Sequence, residues 1–213
     1  MAVHDLEDLP LDQQLAVREA RRRLTEEFGD TVGEETIYQV LAASWAHIEA
    51  GARIKHHVPL LAERFARAEL RAFARMNGQH DGTPAVLFLD RHDSGRGKMA
   101  KVLLADKLNG QVIAMSAGTD PDVIVSPVII EVMKEWDLHL EHAFPKPYTS
   151  QMLQAADIIV TFGDACTLGI PSGANHESWQ VQDPRDLDAE QVRAIRGDLS
   201  ERIDDMITRL PRT

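Results

Sequence analysis

Between Pro84 and Ala105 the chain reads PAVLFLDRHDSGRGKMAKVLLA, and no other stretch restricts the available folds as strongly. Ala85 to Leu89 are consecutive apolar residues, the pattern of a buried strand. A polar, glycine-bearing turn runs from Asp90 to Gly97, and Lys98 to Leu104 then resume with helical spacing. Strand, loop and helix in that order gather backbone N–H groups at the positive end of a helix dipole, so the default ligand of the junction is an oxyanion. The loop carries anions of its own, because Asp90 and Asp93 stand in it beside Arg91 and Arg96.

Beyond this junction the alternation of strands and helices continues. Gln111 to Met115 read as a second strand, Ser126 to Trp136 as a helix, Met152 to Ala156 as the end of another, and Asp157 to Phe162 as a third strand. A short fourth strand is expected near Glu177 to Val181. A long terminal helix is expected over Leu187 to Leu210, where Val192, Ile195, Leu199, Ile203 and Ile207 repeat every three or four residues. This alternation implies an α/β domain with a parallel sheet and helices on both faces. Sites in such a sheet form outside the carboxyl ends of its strands, where Asp90 to Gly97, Ala117 to Pro121 and Gly163 to Ala165 emerge.

The first part of the chain is different. One helix is expected from Leu11, with Leu15, Leu24 and Phe28 on its apolar face and a stop at Gly29; a second starts near Glu34 and carries Ile37, Leu41, Trp45 and Ile48. A third starts at Pro59, with Leu60, Leu61, Phe65, Leu70 and Phe73 as its stripe. The expected organisation is a three-helix bundle over residues 1–80, a boundary in the Gly- and Pro-bearing run Asn77 to Pro84, and the α/β domain over 84–213.

Composition narrows the partners. No apolar run is long enough to span a bilayer, and the acidic start MAVHDLEDLP has no signal-peptide core, so a cytoplasmic location is expected. A formal charge of -11 argues against general nucleic-acid affinity. The run Arg18 to Arg23 reads as a solvated helix face; Glu26, Glu27, Asp30, Glu34 and Glu35 come directly after it and would repel phosphates, which counts against a DNA-reading bundle. The bundle is expected instead to pack on the second domain, a partner or another copy of the chain, giving a homo-oligomer. A single cysteine, Cys166, excludes an internal disulfide and a multi-cysteine zinc site. His56, His57, His139 and His142 lack the companion ligands of a metal site, and His92 beside Asp90 and Asp93 is the one candidate for a divalent ion; no cofactor or metal is expected.

The segment 85 to 104 resembles the active-site P-loop of the low-molecular-weight protein tyrosine phosphatases and the related thiol-dependent arsenate reductases, in which a cysteine ends the first strand and an arginine comes after five further residues. Asp90 and Arg96 keep that spacing. The resemblance continues through Ser116-Ala117-Gly118-Thr119, Pro145-Lys146-Pro147, Ala155 to Thr161, Gly163-Asp164-Ala165-Cys166 and Asp183-Pro184. Residues 10 to 76, notably His57 to Phe65, resemble the N-terminal three-helix extension of the actinobacterial arsenate-reductase branch.

The resemblance implies a thiolate nucleophile at position 90, an oxyanion clamp at Arg96, a general acid at Asp183, and a phosphate, sulfate or arsenate held by the loop Arg91, His92, Asp93, Ser94, Gly95 and Gly97. Asp90 cannot serve as the thiol of arsenate reduction, since a carboxylate forms no disulfide. Cys166 lacks the second thiol that a relay needs. Two unit charges ~4 Å apart repel by roughly 4 kcal/mol at an effective dielectric of ~20, so Asp90 opposes any bound dianion. Asp93 stands where the family has asparagine, and Gly97 where it has Ser or Thr. Taken from the sequence alone, these three departures look like relaxed constraint, and they predict a catalytically degenerate relative, a pseudoenzyme with a binding or regulatory role. The loop is expected to be filled from within by Asp90 or Asp93 paired with Arg96. The alternative is an enzyme of altered mechanism, including phosphoryl transfer to Asp90.

Overall fold

The computed structural model describes residues 6, 9–51, 55–78, 82–140, 143–163 and 169–210, with no description of the side chains of 51 and 55. The chain divides into two compact units, Met1–His80 and Asp81–Thr213.

The first unit holds α1 (Leu11–Phe28), α2 (Glu34–Gly51) and α3 (Val58–Met76), with a single 3-10 turn at Lys55–His57 leading into α3. Val17, Ala20, Leu24 and Phe28 of α1 are buried, as are Ile37, Leu41 and Trp45 of α2 and Ala62, Phe65, Ala66 and Leu70 of α3. Two residues assigned to apolar faces by spacing prove exposed, Leu15 at 53% and Leu60 at 49%. Val17, Ala20 and Ala62 are buried instead, and their small side chains allow close helix approach. The arginine run is neutralised locally. Arg22 pairs with Glu19 and Glu26 along α1. Arg23 makes a two-pronged contact with Glu63 on α3, at 3.0 and 2.7 Å. Glu63 also receives Arg67, and Glu27 receives Arg67 and Arg71, so a ladder of ion pairs joins α1 to α3.

The second unit is a four-stranded parallel sheet in the order β2-β1-β3-β4, with β1 Ala85–Asp90, β2 Ile113–Gly118, β3 Ile158–Phe162 and β4 Asn175–Trp179. Its helices are α4 (Arg96–Leu108), α5 (Pro127–Lys134), α6 (Ser150–Ala155) and α7 (Ala189–Ile207). β2 begins two residues later than expected and runs on through Gly118, because Gln111 and Val112 are used in the turn out of α4. β4 likewise sits earlier than expected. Val86 and Phe88 point into a core with Val160, Phe162, Met99, Leu103, Ile129, Val132 and the inner stripe of α7. Phe88, Phe162 and Trp179 pack ring against ring at centroid distances of 5.9 to 6.4 Å. Asp188 caps α7 in a reciprocal box with Gln191, fixing where the last helix starts. Asp90 and Gly118 are register partners at the ends of β1 and β2, so the β1–α4 loop lies at the carboxyl edge of the sheet.

Candidate functional site

Every residue of β1 is buried, and the chain leaves the sheet at Asp90 into a bend over Arg91–Gly95 before α4 begins at Arg96. Asp93 turns this bend with φ +48°, a left-handed conformation that an aspartate tolerates better than most residues. The loop is tied to the segment after β2 by backbone bonds: Thr119 N–H donates to Asp90 O, Asp120 to Arg91 O and Asp122 to His92 O, at 3.2, 2.7 and 2.9 Å. A Cβ on Gly118 would lie 2.8 Å from Arg91 O and 3.0 Å from Asp93 N, so this approach requires glycine.

Asp90 points into the loop. Its Oδ1 accepts the N–H of Asp93 and its Oδ2 accepts the N–H of Gly97, the latter at 2.9 Å in the first turn of α4. The side-chain carboxylate therefore uses amides of the loop and helix start, groups suited to an oxyanion. Burial pushes the Asp90 carboxyl above its usual range and the neighbouring Asp93 adds to this, outweighing the opposing pull of the two amides and Arg96. A Cβ on Gly97 would sit 3.2 Å from Asp90 Oδ2 and 3.4 Å from Phe88 O. Gly97 thus makes room for the Asp90 carboxylate.

Asp93 is fully buried; its Oδ2 is paired, though not with arginine, while its Oδ1 has no hydrogen-bond partner among the described residues. Its Oδ2 accepts Lys98 Nζ at 2.6 Å and the backbone N–H of Lys146 at 2.8 Å; Lys98 Nζ also donates to Ser116 Oγ at 3.1 Å. Lys146 Nζ lies 4.0 Å from the same carboxylate oxygen. Its own burial, and next the adjacent Lys98, hold the Lys146 amine well below the ordinary lysine range. Sequence reasoning missed this trio. The available signal was Lys98 itself: a cation in the first turn of a helix opposes the dipole and calls for a carboxylate close by.

The expected pairing of Asp90 or Asp93 with Arg96 is not found. Arg96 Nη1 donates to Val181 O at 2.8 Å, and its guanidinium stands 5.7 Å from the centre of the Phe162 ring and, at Nη2, 3.7 Å from Asp183 Oδ2. The arginine reaches out of the loop because the carboxylates already have amide and ammonium donors, while the Val181 carbonyl is open to it. Asp183 is brought to the loop's side by this contact, and Arg185 N–H and Nε hold its carboxylate at 3.1 and 3.2 Å. Gly95 lies under Pro184, whose Cγ would stand 2.9 Å from an added Cβ.

Asp90, Asp93 and Gly97 each meet a neighbouring residue that accommodates them: Gly97 is matched to the bulk of Asp90, and Lys98 to the charge of Asp93.

His92 turns from the two loop aspartates towards Asp120 O at 3.1 Å and Asp122 Oδ1 at 3.6 Å, and Ser94 Oγ donates to the other oxygen of Asp122. Arg91 is 66% exposed beside Asp120. Among the described residues no group of three or more His, Cys, Asp or Glu side chains is placed to hold a metal ion, and no helix is long and apolar enough to cross a membrane. The His56 and His57 rings meet at a tilt with centroids 4.1 Å apart, and His139 lies by Asp137. Cys166 and His142 lie outside the described residues.

A parallel sheet whose first strand ends in an amide-rich loop, with an arginine at the start of the next helix and an aspartate facing it, is the arrangement of the phosphatase-type oxyanion loop. Residues 85–213, more than half of the chain, match the family Low molecular weight phosphotyrosine protein phosphatase, and the protein belongs to it. Residues 17–74 match Protein-tyrosine-phosphatase-like, N-terminal domain. Within that family the chain is similar to Arsenate reductase 1 of Staphylococcus epidermidis, 29% identical over 126 residues that make up 56% of this chain and 92% of the relative. It is also similar to Glutaredoxin arsenate reductase of Synechocystis sp., 23% identical over 59% of this chain and 97% of the relative. Among solved structures, the thioredoxin-dependent arsenate reductase of Corynebacterium glutamicum aligns over 90% of this chain and 94% of its own, with a TM-score of 0.78 and 27% identity.

Proposed function

We propose that this protein is a catalytically silent member of the arsenate-reductase branch, acting by binding or regulation, with an oxyanion loop occupied by its own Asp90. The observation that carries the reading is the pair of hydrogen bonds from Asp93 N–H and Gly97 N–H to the Asp90 carboxylate. In the family pattern this position belongs to a thiolate, and arsenate reduction needs sulfur to form a bond to arsenic and to be regenerated through a disulfide. Asp90 offers neither, and its charge opposes phosphate in the same loop. Arg96 and Asp183, the positions of clamp and general acid, are turned towards each other and Val181 instead of towards the loop. In this reading they hold the β4–α7 connection. The helical unit, with Leu11, Leu15 and Leu60 exposed, is assigned to homo-oligomer contact, and the loop's ligand class remains oxyanions such as phosphate, sulfate or arsenate.

The test is hydrolysis of p-nitrophenyl phosphate and thioredoxin-coupled reduction of arsenate by the full chain, with and without Mg²⁺, beside Asp90→Cys. The native protein is expected to turn over neither substrate. Turnover of p-nitrophenyl phosphate by Asp90→Cys alone would show that the scaffold survives and only the nucleophile is gone. Hydrolysis by the native protein, above all if Mg²⁺-dependent with phosphate trapped on Asp90, would overturn the reading in favour of phosphoryl transfer to the carboxylate.

A further inference from the structure

We propose that Asp90 is an acid-operated gate on the loop: ionised, it keeps oxyanions out, and protonated, it changes from a repelling charge into a hydrogen-bond donor to the anion. The inference rests on the reading of Asp90 as the loop's own occupant and names how that occupancy is regulated. The geometry has two parts. Asp90 holds only two of the loop amides, those of Asp93 and Gly97, and among the described residues no acceptor takes the N–H groups of His92, Ser94, Gly95 or Arg96. The loop therefore keeps donors in reserve beside its internal anion, and charge is what stands against a second one.

The groups around Asp90 determine the direction of the gate. From the loop, Asp93 repels it; from α4, Arg96 attracts it at a distance while spending its donors on Val181 O and the side of Asp183. Lys98, also on α4, is committed to Asp93 at 2.6 Å, and Lys146, before α6, holds the same carboxylate through its backbone N–H. On the far side Asp120 and Asp122 are engaged by Arg91, His92 and Ser94. Among the described residues no ammonium or guanidinium is hydrogen-bonded to Asp90, and burial raises its proton affinity above that of an ordinary aspartate. Once the carboxyl is neutral, its O–H needs an acceptor, and an oxyanion on the free amides supplies one. Acidification then couples one proton taken up at Asp90 to one anion bound.

Sulfate is the suitable probe, because its charge is constant over the range in which a buried carboxyl titrates. Binding is measured by calorimetry at about pH 5 and about pH 7.5 on the full chain, with shifts of the loop amides 92–97 locating the site. The native protein is expected to bind at least about tenfold more tightly at the lower pH, the change set by one proton per anion. Asp90→Asn and Asp90→Ala are expected to bind at both values with less than about a threefold difference. Equal binding by the native protein at both pH values overturns the gate, as does pH dependence that persists in both variants, or sulfate failing to move the loop amides in any of the three proteins. None of these outcomes produces turnover of p-nitrophenyl phosphate, so failure of the gate and failure of the silent-enzyme reading are told apart.

Discussion

Glu63 on α3 and Asp90 at the end of β1 are both carboxylates in the interior of their units, yet Glu63 faces two guanidinium groups and Asp90 faces two backbone amides and a second carboxylate. The proton affinities differ accordingly. Arg23, against the effect of burial and with help from Arg67, holds Glu63 below the usual carboxylate range, while burial pushes Asp90 above it. In the helical unit charge is matched by charge and joins helices. In the loop the matching is displaced to Asp93 and Lys98, and Asp90 is left with neutral partners. An interior charge with a counter-ion is architecture; one satisfied only by amides at a helix start occupies the place of a ligand.

The contrast is broken most severely at Lys98. Replacing it by methionine leaves the Asp93 carboxylate buried with one amide and the weakly basic Lys146, and is expected to cost about 3–5 kcal/mol in urea unfolding of the full chain. Adding Asp93→Asn to Lys98→Met should recover more than half of the loss; no recovery would mean that Lys98 acts by packing alone. A smaller effect is expected at Gly97. Gly97→Ser brings a Cβ to 3.2 Å from Asp90 Oδ2 and is expected to cost about 1–2 kcal/mol, most of it disappearing in an Asp90→Ala background. Equal cost in both backgrounds would refute the fit between the two residues. Smallest is Glu63→Gln, about 1 kcal/mol, because Arg23 is half exposed and both arginines keep other carboxylates nearby.

Acid distinguishes the two carboxylates by sign. The contribution of Glu63, whose folded-state carboxyl is the stronger acid, is present above the unfolded carboxylate range and is lost as pH falls through its folded value, so the cost of Glu63→Gln fades on acidification. Asp90 behaves in the opposite sense. Its contribution is full below the unfolded range and is lost as pH rises through its raised folded value, so Asp90→Asn should gain on the native protein as pH rises from about 4. Parallel pH profiles for the two variants would remove the contrast.

Periodicity made the elements legible in the sequence: the apolar run of β1, the Asp157 to Phe162 strand and the stripe of α7 each announce their partners through spacing. It failed where a neighbour decides the matter. Leu15 and Leu60 satisfy helical spacing and still face out, because the inner positions at these levels go to Val17, Ala20 and Ala62. In the candidate site, Asp90, Arg96 and Asp183 are singled out by the family resemblance, which says nothing of their contacts. Spacing does not reveal that Arg96 prefers the Val181 carbonyl, some eighty residues later in the chain, or that Lys98 and Lys146 meet on Asp93. Nor does it show that Gly97 and Asp90 form a fitted pair, since the clash that glycine avoids exists only once the loop has closed.

Whether Asp90 occupies its own oxyanion loop is decided by a crystal structure of the native protein grown near neutral pH from concentrated ammonium sulfate. Self-occupancy predicts the Asp90 carboxylate on the N–H groups of Asp93 and Gly97 with no sulfate among the amides of residues 92–97. A sulfate ordered on those amides, with Asp90 turned away, would contradict it.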